Sequence, residues 1–475
     1  MMIDQRRLHE TSIATVYLLE IARVIRYSDP VSVSSNNDTL MSDYHIHGGR
    51  PLIGSVQLSG AKNAASKILL ASLLTDQRCV ISNVPAIGEL DIAVDILCSA
   101  GAAVQRNDHT VTIDAAAVSG EHVSEQSRRN RLSVLAIGPL LHRSGFARVP
   151  TVSGDKIGAR PVNFHIAALR AFGATVDEQP DALVVHAKQL TGAAIDLPWP
   201  TVGATETVLL TSVLARGITT LTNAAVEPEI RDLIRFLQKM GAQIRFTGDR
   251  TLEIQGVESL HGTEHRVIPD RLEAASFAAA ALATGGDVKL LGTTQDDCMA
   301  FLSAVKALGA GVDIHDDSIH VWRDRPLTAI DIRTDVYPGF ATDWQQPLAV
   351  ALTQAVGEST IHETIYEDRL GYLADLRRMG ANLTTQTDCL GAPCRFHSTN
   401  AYHAARITGP TPLVATTLII PDIRAGMAHV IGALSAQGDS VVKQVEILDR
   451  GYERLEEKLR ALGAEIVRVD EDATA

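Results

Sequence analysis

The charged residues of this 475-residue chain fall where they could do chemistry. The stretch Thr151–His165 reads TVSGDKIGARPVNFH and has no helical or strand period until after Pro161. It holds one acid, Asp155, shortly before Arg160, and Gly154 and Gly158 supply backbone freedom. A carboxylate on a loop of this kind can carry a proton once the loop closes and excludes water. Other charges stand at a repeated place, the start of Ala-rich helical segments: "SGAKNA", "RRNRLS", "VGATET", "PDRLEA", "ATDWQQ" and "PDIRAG". These bring in Lys62, Arg131, Thr205 with Glu206, Asp270 with Arg271, Asp343, and Asp422 with Arg424. A helix amino terminus has unpaired N–H groups and about half a positive charge. Several of them facing one cleft, reinforced by Arg and Lys, make a phosphate site. Asp270 and Asp422 have a simpler reading as caps. Basic groups oppose the dipole, so Lys62, Arg131 and Arg424 call for a ligand as their explanation.

Internal repetition shows which elements must position these groups. "LCSAGAAV", "LRAFGATV", "LQKMGAQI", "VKALGAGV", "LRRMGANL" and "LRALGAEI" recur at intervals of roughly 70 to 80 residues. In each, an amphipathic helix stops at a glycine suited to positive φ, and an aliphatic strand begins. An Ala-rich helix, a polar break and a strand recur between these marks, as in "EAASFAAAALATGGDVKLLG". Helices apolar nearly all round belong inside, with sheets outside them. Six such units divide into two domains of three. The cleft between the two is expected to be strongly positive.

Composition sets bounds. The length exceeds one core. Aromatics make up only 4%, so the core must be aliphatic and Ala-rich. A net charge of −13 argues against general nucleic-acid binding. Five scattered cysteines fit a reducing cytoplasm. No apolar run is long enough to span a membrane. Residues 1–43 read as an extension with a polar linker, expected to be poorly ordered.

The motifs "LSGAKNAA", "SGDKIGARPV", "VGATET", "NAAVEPEIRDL", "RVIPDRLEAASF", "FATDWQQ" and "DRGYERLEEKLRALGA" occur in order from about residue 45 to 468. Together they resemble the enolpyruvyl transferase family, in particular its cell-wall branch. The resemblance implies an α/β fold of two inside-out, barrel-like domains, each of three units with buried helices and outer sheets. Residues 44–61 with 270–470 would form one domain, and 62–269 the other, with the mobile loop at 151–162. It implies transfer of enolpyruvate from phosphoenolpyruvate to the 3′-hydroxyl of UDP-N-acetylglucosamine, with release of phosphate and no cofactor.

Carried over by matching motifs, the catalytic residues are Asp155, Lys62 and Asp343. Lys62, Asn63, Arg160, Arg424 and Arg450 bind phosphoenolpyruvate. Arg131, Arg160, Pro161, Val162, Asn163, Phe164, Val202, Gly203, Asp343 and Ile365 bind the nucleotide sugar, within a site that also includes the run Trp199 to Val202. Two departures stand out. The family most often has Cys where this chain has Asp155, which implies resistance to the thiol-alkylating epoxide fosfomycin. A usual lysine is replaced by Trp199. Another uridine nucleotide as acceptor, or a non-catalytic nucleotide-sugar binder, remain alternatives.

Cys389, Cys394, His397 and His403 lie in "CLGAPCRFHSTNAYH", and their spacing faintly suggests zinc. A structured loop between strands is the expectation there, with no metal assigned. No P-loop pattern occurs.

Overall fold

The computed structural model describes residues 42–118, 123–124, 127, 130–151, 161–391, 394–397 and 399–470. The Ala-rich segments form six inner helices: α1 (Lys62–Ala71), α2 (Leu132–Ser144), α3 (Val202–Ser212), α4 (Arg271–Thr284), α5 (Thr342–Leu352) and α6 (Ile423–Ser435). Ala and Leu are strong helix formers, and here they are buried on every side. Helix α4 is buried from Arg271 to Ala283, and α3 from Ala204 to Ser212. Small side chains let such helices approach closely. At Gly138 of α2, an added Cβ would lie 2.4 Å from Thr211 Oγ1 of α3.

The intervening helices are one-sided. Pro228–Lys239 starts on a proline and buries Ile230, Leu233, Phe236 and Leu237, the spacing of a single apolar stripe. The six recurrent glycines, Gly101, Gly173, Gly241, Gly309, Gly380 and Gly463, all have φ between 82° and 105°. This is the left-handed region, where any Cβ is strained. The helix-stop reading of the repeated phrase is therefore correct.

The described strands form six sheets, most of them mixed in direction. In one, Ser42–Gly48 lies antiparallel to both Gly438–Lys443 and Glu465–Asp470, with Ile46 opposite Ser440 and Ile466. Tyr44 and Ile46 point inward while His45 and His47 face water, the period-two alternation of a sheet with one buried face. The strand begins at Ser42, so Ser42 and Asp43 are sheet residues.

Two apolar clusters fill the interior. One gathers α4, α5 and α6, which pack on one another, with Tyr44, Leu52 and Val56. The other gathers α1, α2 and α3, with α2 packed on both of its partners. The clusters meet at Asp270. Its carboxylate caps α4, with Oδ1 accepting from the backbone N–H of Leu272 (2.8 Å) and Glu273 (3.1 Å). Its Oδ2 accepts from the N–H of Lys62 at the start of α1 (3.2 Å). One buried side chain thus serves the amino ends of two helices in different clusters. Asp422 caps α6 in the ordinary way, accepting from Arg424 N and Ala425 N.

Asp270→Ala removes a cap and leaves buried amides unpaired. It is expected to destabilise the fold by roughly 2 kcal/mol, read as a lower urea midpoint with unchanged slope. A shift no larger than that of an exposed Asp→Ala control would contradict the double-cap role.

Candidate active site

The first turns of all six inner helices open onto one cavity of about 710 Å³. Lys62 and Asn63 come from α1, Arg131 immediately precedes α2, and Val202 and Gly203 begin α3. Arg271 begins α4, Thr342 and Asp343 begin α5, and Asp422 to Arg424 begin α6. The volume is that of a small-molecule site. Six amino termini aimed at one space put six dipole ends around it, together with those first-turn N–H groups that Asp270 and Asp422 do not take up.

Of the residues named from sequence, Lys62, Asn63, Arg131, Pro161, Phe164, Val202, Gly203, Asp343, Ile365, Arg424 and Arg450 line this cavity, as does Trp199. Asp155 and Arg160 lie outside the described residues. Val162 precedes the helix Asn163–Ala171 and packs against the apolar cluster, and Asn163 is exposed. Neither is part of the cavity wall. Gly203 is required where it stands, because a Cβ there would meet His165 Cε1 at 2.9 Å.

The side-chain charges do not make the wall strongly positive. Acidic and basic groups line it in comparable number. What distinguishes the acids is that most are already engaged. Asp422 is a cap, Glu229 holds Arg271 through two bonds of 3.0 and 3.2 Å, and Asp343 pairs with Arg369. Glu89 Oε2 lies between two cations, 4.0 Å from Lys62 Nζ and 3.8 Å from Arg450 Nη2, and accepts no hydrogen bond among the described residues. Both separations are longer than a hydrogen-bonded ion pair.

Arg424 is the most telling group. It is only 6% exposed, and its guanidinium lies 5.1 Å from the centroid of the Tyr452 ring. Burial disfavours its charge, but Tyr452, Asp343 and Asp270 outweigh burial and keep it protonated. Its Nη1 is buried without an acceptor among the described residues. A buried cationic donor without an acceptor is costly unless a ligand supplies one.

Burial alone would raise the pKa of Asp343, yet Arg369, Arg424, Lys62 and Arg271 together hold it below the usual carboxylate range. It is an anion set among cations. Glu206 of α3 is the opposite case. Burial lifts its carboxyl to about 7, against the pull of Lys67 and with help from Glu227 and Glu229.

Several wall residues were not singled out from the sequence. Arg369 stands in "YEDRLGY", which has no helix start or repeat to mark it. Arg395 stands in the connection before the strand Ala404–Gly409, and its guanidinium stacks 5.2 Å from the Trp199 ring. Trp199 is in turn edge-on to Phe164, with centroids 5.1 Å apart. A cation thus stands beside Trp199, brought there from a distant part of the chain.

The sequence profile of the EPSP synthase (3-phosphoshikimate 1-carboxyvinyltransferase) family matches residues 46–459. The chain belongs to this enolpyruvyl transferase family. It is 45% identical to the UDP-N-acetylglucosamine 1-carboxyvinyltransferase of Chlamydia abortus, over 92% of this chain and 100% of that one. It is 43% identical to the enzyme of the same name from Protochlamydia amoebophila, over 90% and 94%. Among solved structures it is similar to the enolpyruvyl transferase NikO from Streptomyces tendae, with a TM-score of 0.81 at 26% identity, over 91% of this chain and 100% of that one. The EPSP synthase of Acinetobacter baumannii, at 19% identity and a TM-score of 0.69 over 90% and 100%, shares the fold. The mixed α/β fold of this transferase is thus the one its relatives use. No helix among the described residues is long and apolar enough to cross a membrane.

The elevated Glu206 carboxyl carries a stability signature. Between its reference value near 4.5 and about 7, the folded chain holds a proton that the unfolded chain has lost. Its contribution to stability therefore falls as pH rises through that window and levels off above it. Glu206→Gln is expected to flatten the decline in thermal midpoint between about pH 5 and about pH 8. A variant whose midpoint declines as steeply as the wild type would contradict the assignment.

Proposed function

We propose that this chain transfers the enolpyruvyl group of phosphoenolpyruvate to the 3′-hydroxyl of UDP-N-acetylglucosamine, releasing phosphate, a reaction that begins peptidoglycan synthesis. The observation that carries the reading is the cavity where six helix amino ends meet Lys62, Arg424 and Arg450, with the ionised Asp343 beside them. Names shared with relatives at 43–45% identity over nine-tenths of the chain support the acceptor.

In this reading, Lys62, Arg424 and Arg450 hold the carboxylate and phosphate of the donor, joined by Arg160 from the loop. The arginines do so through paired N–H bonds. The arriving negative charge offsets the cations around Asp343 and raises its basicity. Asp343 then accepts the proton of the sugar hydroxyl as its oxygen adds to C2, while Asp155 delivers a proton to C3. The tetrahedral adduct collapses when a C3 proton is removed and the C2–O bond to phosphate breaks. Cations and dipoles that face the adduct stabilise the charge as it forms and leaves. Val202, Gly203, Phe164, Ile365 and Arg131 flank the nucleotide sugar, and Arg395 over Trp199 supplies the cation on that side.

The architecture follows the same proposal. Residues 44–61 with 270–470 and residues 62–269 are two inside-out domains, one around each apolar cluster, and the loop 151–162 closes over the cavity between them. The chemistry needs soluble substrates and fits a cytoplasmic enzyme.

Phosphate release from phosphoenolpyruvate, measured with UDP-N-acetylglucosamine, UMP or shikimate 3-phosphate as acceptor, tests the proposal. Turnover is expected only with the first. Turnover with UMP alone would move the enzyme to another uridine nucleotide, and none with any acceptor would make it a binder. Asp155→Asn should lower kcat by about a hundredfold or more if Asp155 moves the proton. Fosfomycin should leave the wild type active, because a carboxylate is a poor nucleophile toward the epoxide, and should inactivate Asp155→Cys with time. Time-dependent loss of wild-type activity would contradict the role of Asp155.

A further inference from the structure

The second cluster of chemically competent side chains stands at one end of the sheet that contains Ala355–His362, Asn382–Gln386 and Ala404–Gly409. His362 ends the first strand and pairs in register with Ala404. His403 immediately precedes that residue, and its carbonyl accepts from Glu363 N at 2.8 Å. Cys389 and Cys394 lie in the connection between the other two strands. The ligand atoms of His362, Cys389, Cys394 and His403 all lie within 4.8 Å of one another. No other group of this kind occurs among the described residues. His397, whose spacing alone suggested a ligand, is exposed and turned away, its Nδ1 bonded to the Cys394 carbonyl.

We propose that these four side chains form a structural zinc site. Three observations carry this. His362 is 2% exposed, and neither of its ring nitrogens has a hydrogen-bond partner among the described residues. A buried imidazole with both nitrogens unpaired is costly, and a metal supplies one partner. The fully buried His403 has its Nδ1 bonded to the carbonyl of Ala401 at 2.9 Å, which fixes the tautomer and leaves the Nε2 lone pair pointing at Cys389 Sγ, 3.4 Å away. Ligating histidines are oriented by such an outer bond. The Phe396 N–H donates to Cys394 Sγ (3.4 Å), which orients the sulfur.

Zn–N bonds of about 2.0–2.1 Å and Zn–S bonds of about 2.3 Å place tetrahedral ligands roughly 3.3–3.8 Å apart. The Cys389–His403 contact already has that length, and the remaining atoms need only close in slightly. Two thiolates and two imidazoles in a tetrahedron select zinc over magnesium or calcium, which prefer oxygen. Four protein ligands leave no open position, so the role is structural.

The site has a consequence for the cavity. Between Cys394 and His403 the chain carries Arg395 and Phe396, and Phe396 packs edge-on to His403 with centroids 5.6 Å apart. Arg395 donates to the carbonyls of Thr364 (3.2 Å) and Ile365 (2.6 Å) and stacks on Trp199. A metal at the sheet end would hold this connection against the cavity wall.

Metal analysis of the untagged full chain by plasma mass spectrometry, after dialysis in metal-free buffer, is expected to find about one zinc per chain. Cys394→Ser should reduce it to roughly a tenth or less, while Cys98→Ser, at an exposed thiol elsewhere, should keep it. A wild-type measurement stands independently of whether variants fold: cobalt added to the chelated chain should give the intense visible bands of tetrahedral thiolate-bound cobalt. Wild-type protein that retains no zinc and gives no such bands would overturn the proposal, as would Cys389 and Cys394 found joined in a disulfide.

Discussion

The structure depends on the convergence of six buried helices at their amino ends. Each dipole repels its neighbours' like ends, and each end carries N–H groups that no helix can satisfy internally. Such a gathering needs closely packed helices and something negative at the focus. Alanines and glycines meet the first need, as the Gly138–Thr211 contact shows. Carboxylates meet the second in part: buried Asp270 serves the starts of α1 and α4, and half-buried Asp422 caps α6. An anionic substrate would meet the remainder.

This arrangement explains why acids line a cavity suited to anions. Arg271 is kept charged inside the wall by Glu229, and Arg369 by Asp343. Breaking either pair would leave an uncompensated buried charge. Beside these pairs, Lys62 and Arg450 lie on either side of Glu89, and Arg424 has a buried nitrogen without an acceptor among the described residues. The wall is therefore a frame of paired acids and bases around the Arg424 guanidinium. In the proposed reaction, a donor that neutralises Lys62 and Arg424 would also raise the basicity of Asp343, which would couple donor binding to base strength.

Much of this was legible in the sequence because it is written in local rules. A glycine after an amphipathic helix and before a strand marks positive φ, and all six copies have it. Helices apolar all round must be inside, and a charge at their start is conspicuous, which is how Lys62, Arg131, Asp343 and Arg424 were noticed. Arg369, Arg395 and Glu229 carry no such mark, since their positions depend on how distant segments meet. The same holds for His362. It lies far from the cysteines in sequence, and only the pairing of its strand with Ala404–Gly409 brings it to them. The near neighbour His397 satisfied the spacing but faces away.

Calorimetric titration of phosphoenolpyruvate into the full chain saturated with the 3′-deoxy analogue of UDP-N-acetylglucosamine, which cannot accept the enolpyruvyl group, tests the convergent anion site most directly. Arg424→Ala is expected to weaken donor binding by about a hundredfold or more, the loss of a charge-assisted contact of roughly 3 kcal/mol. Binding as tight as that of the wild type would contradict the claim that this buried guanidinium and the helix ends around it hold the donor.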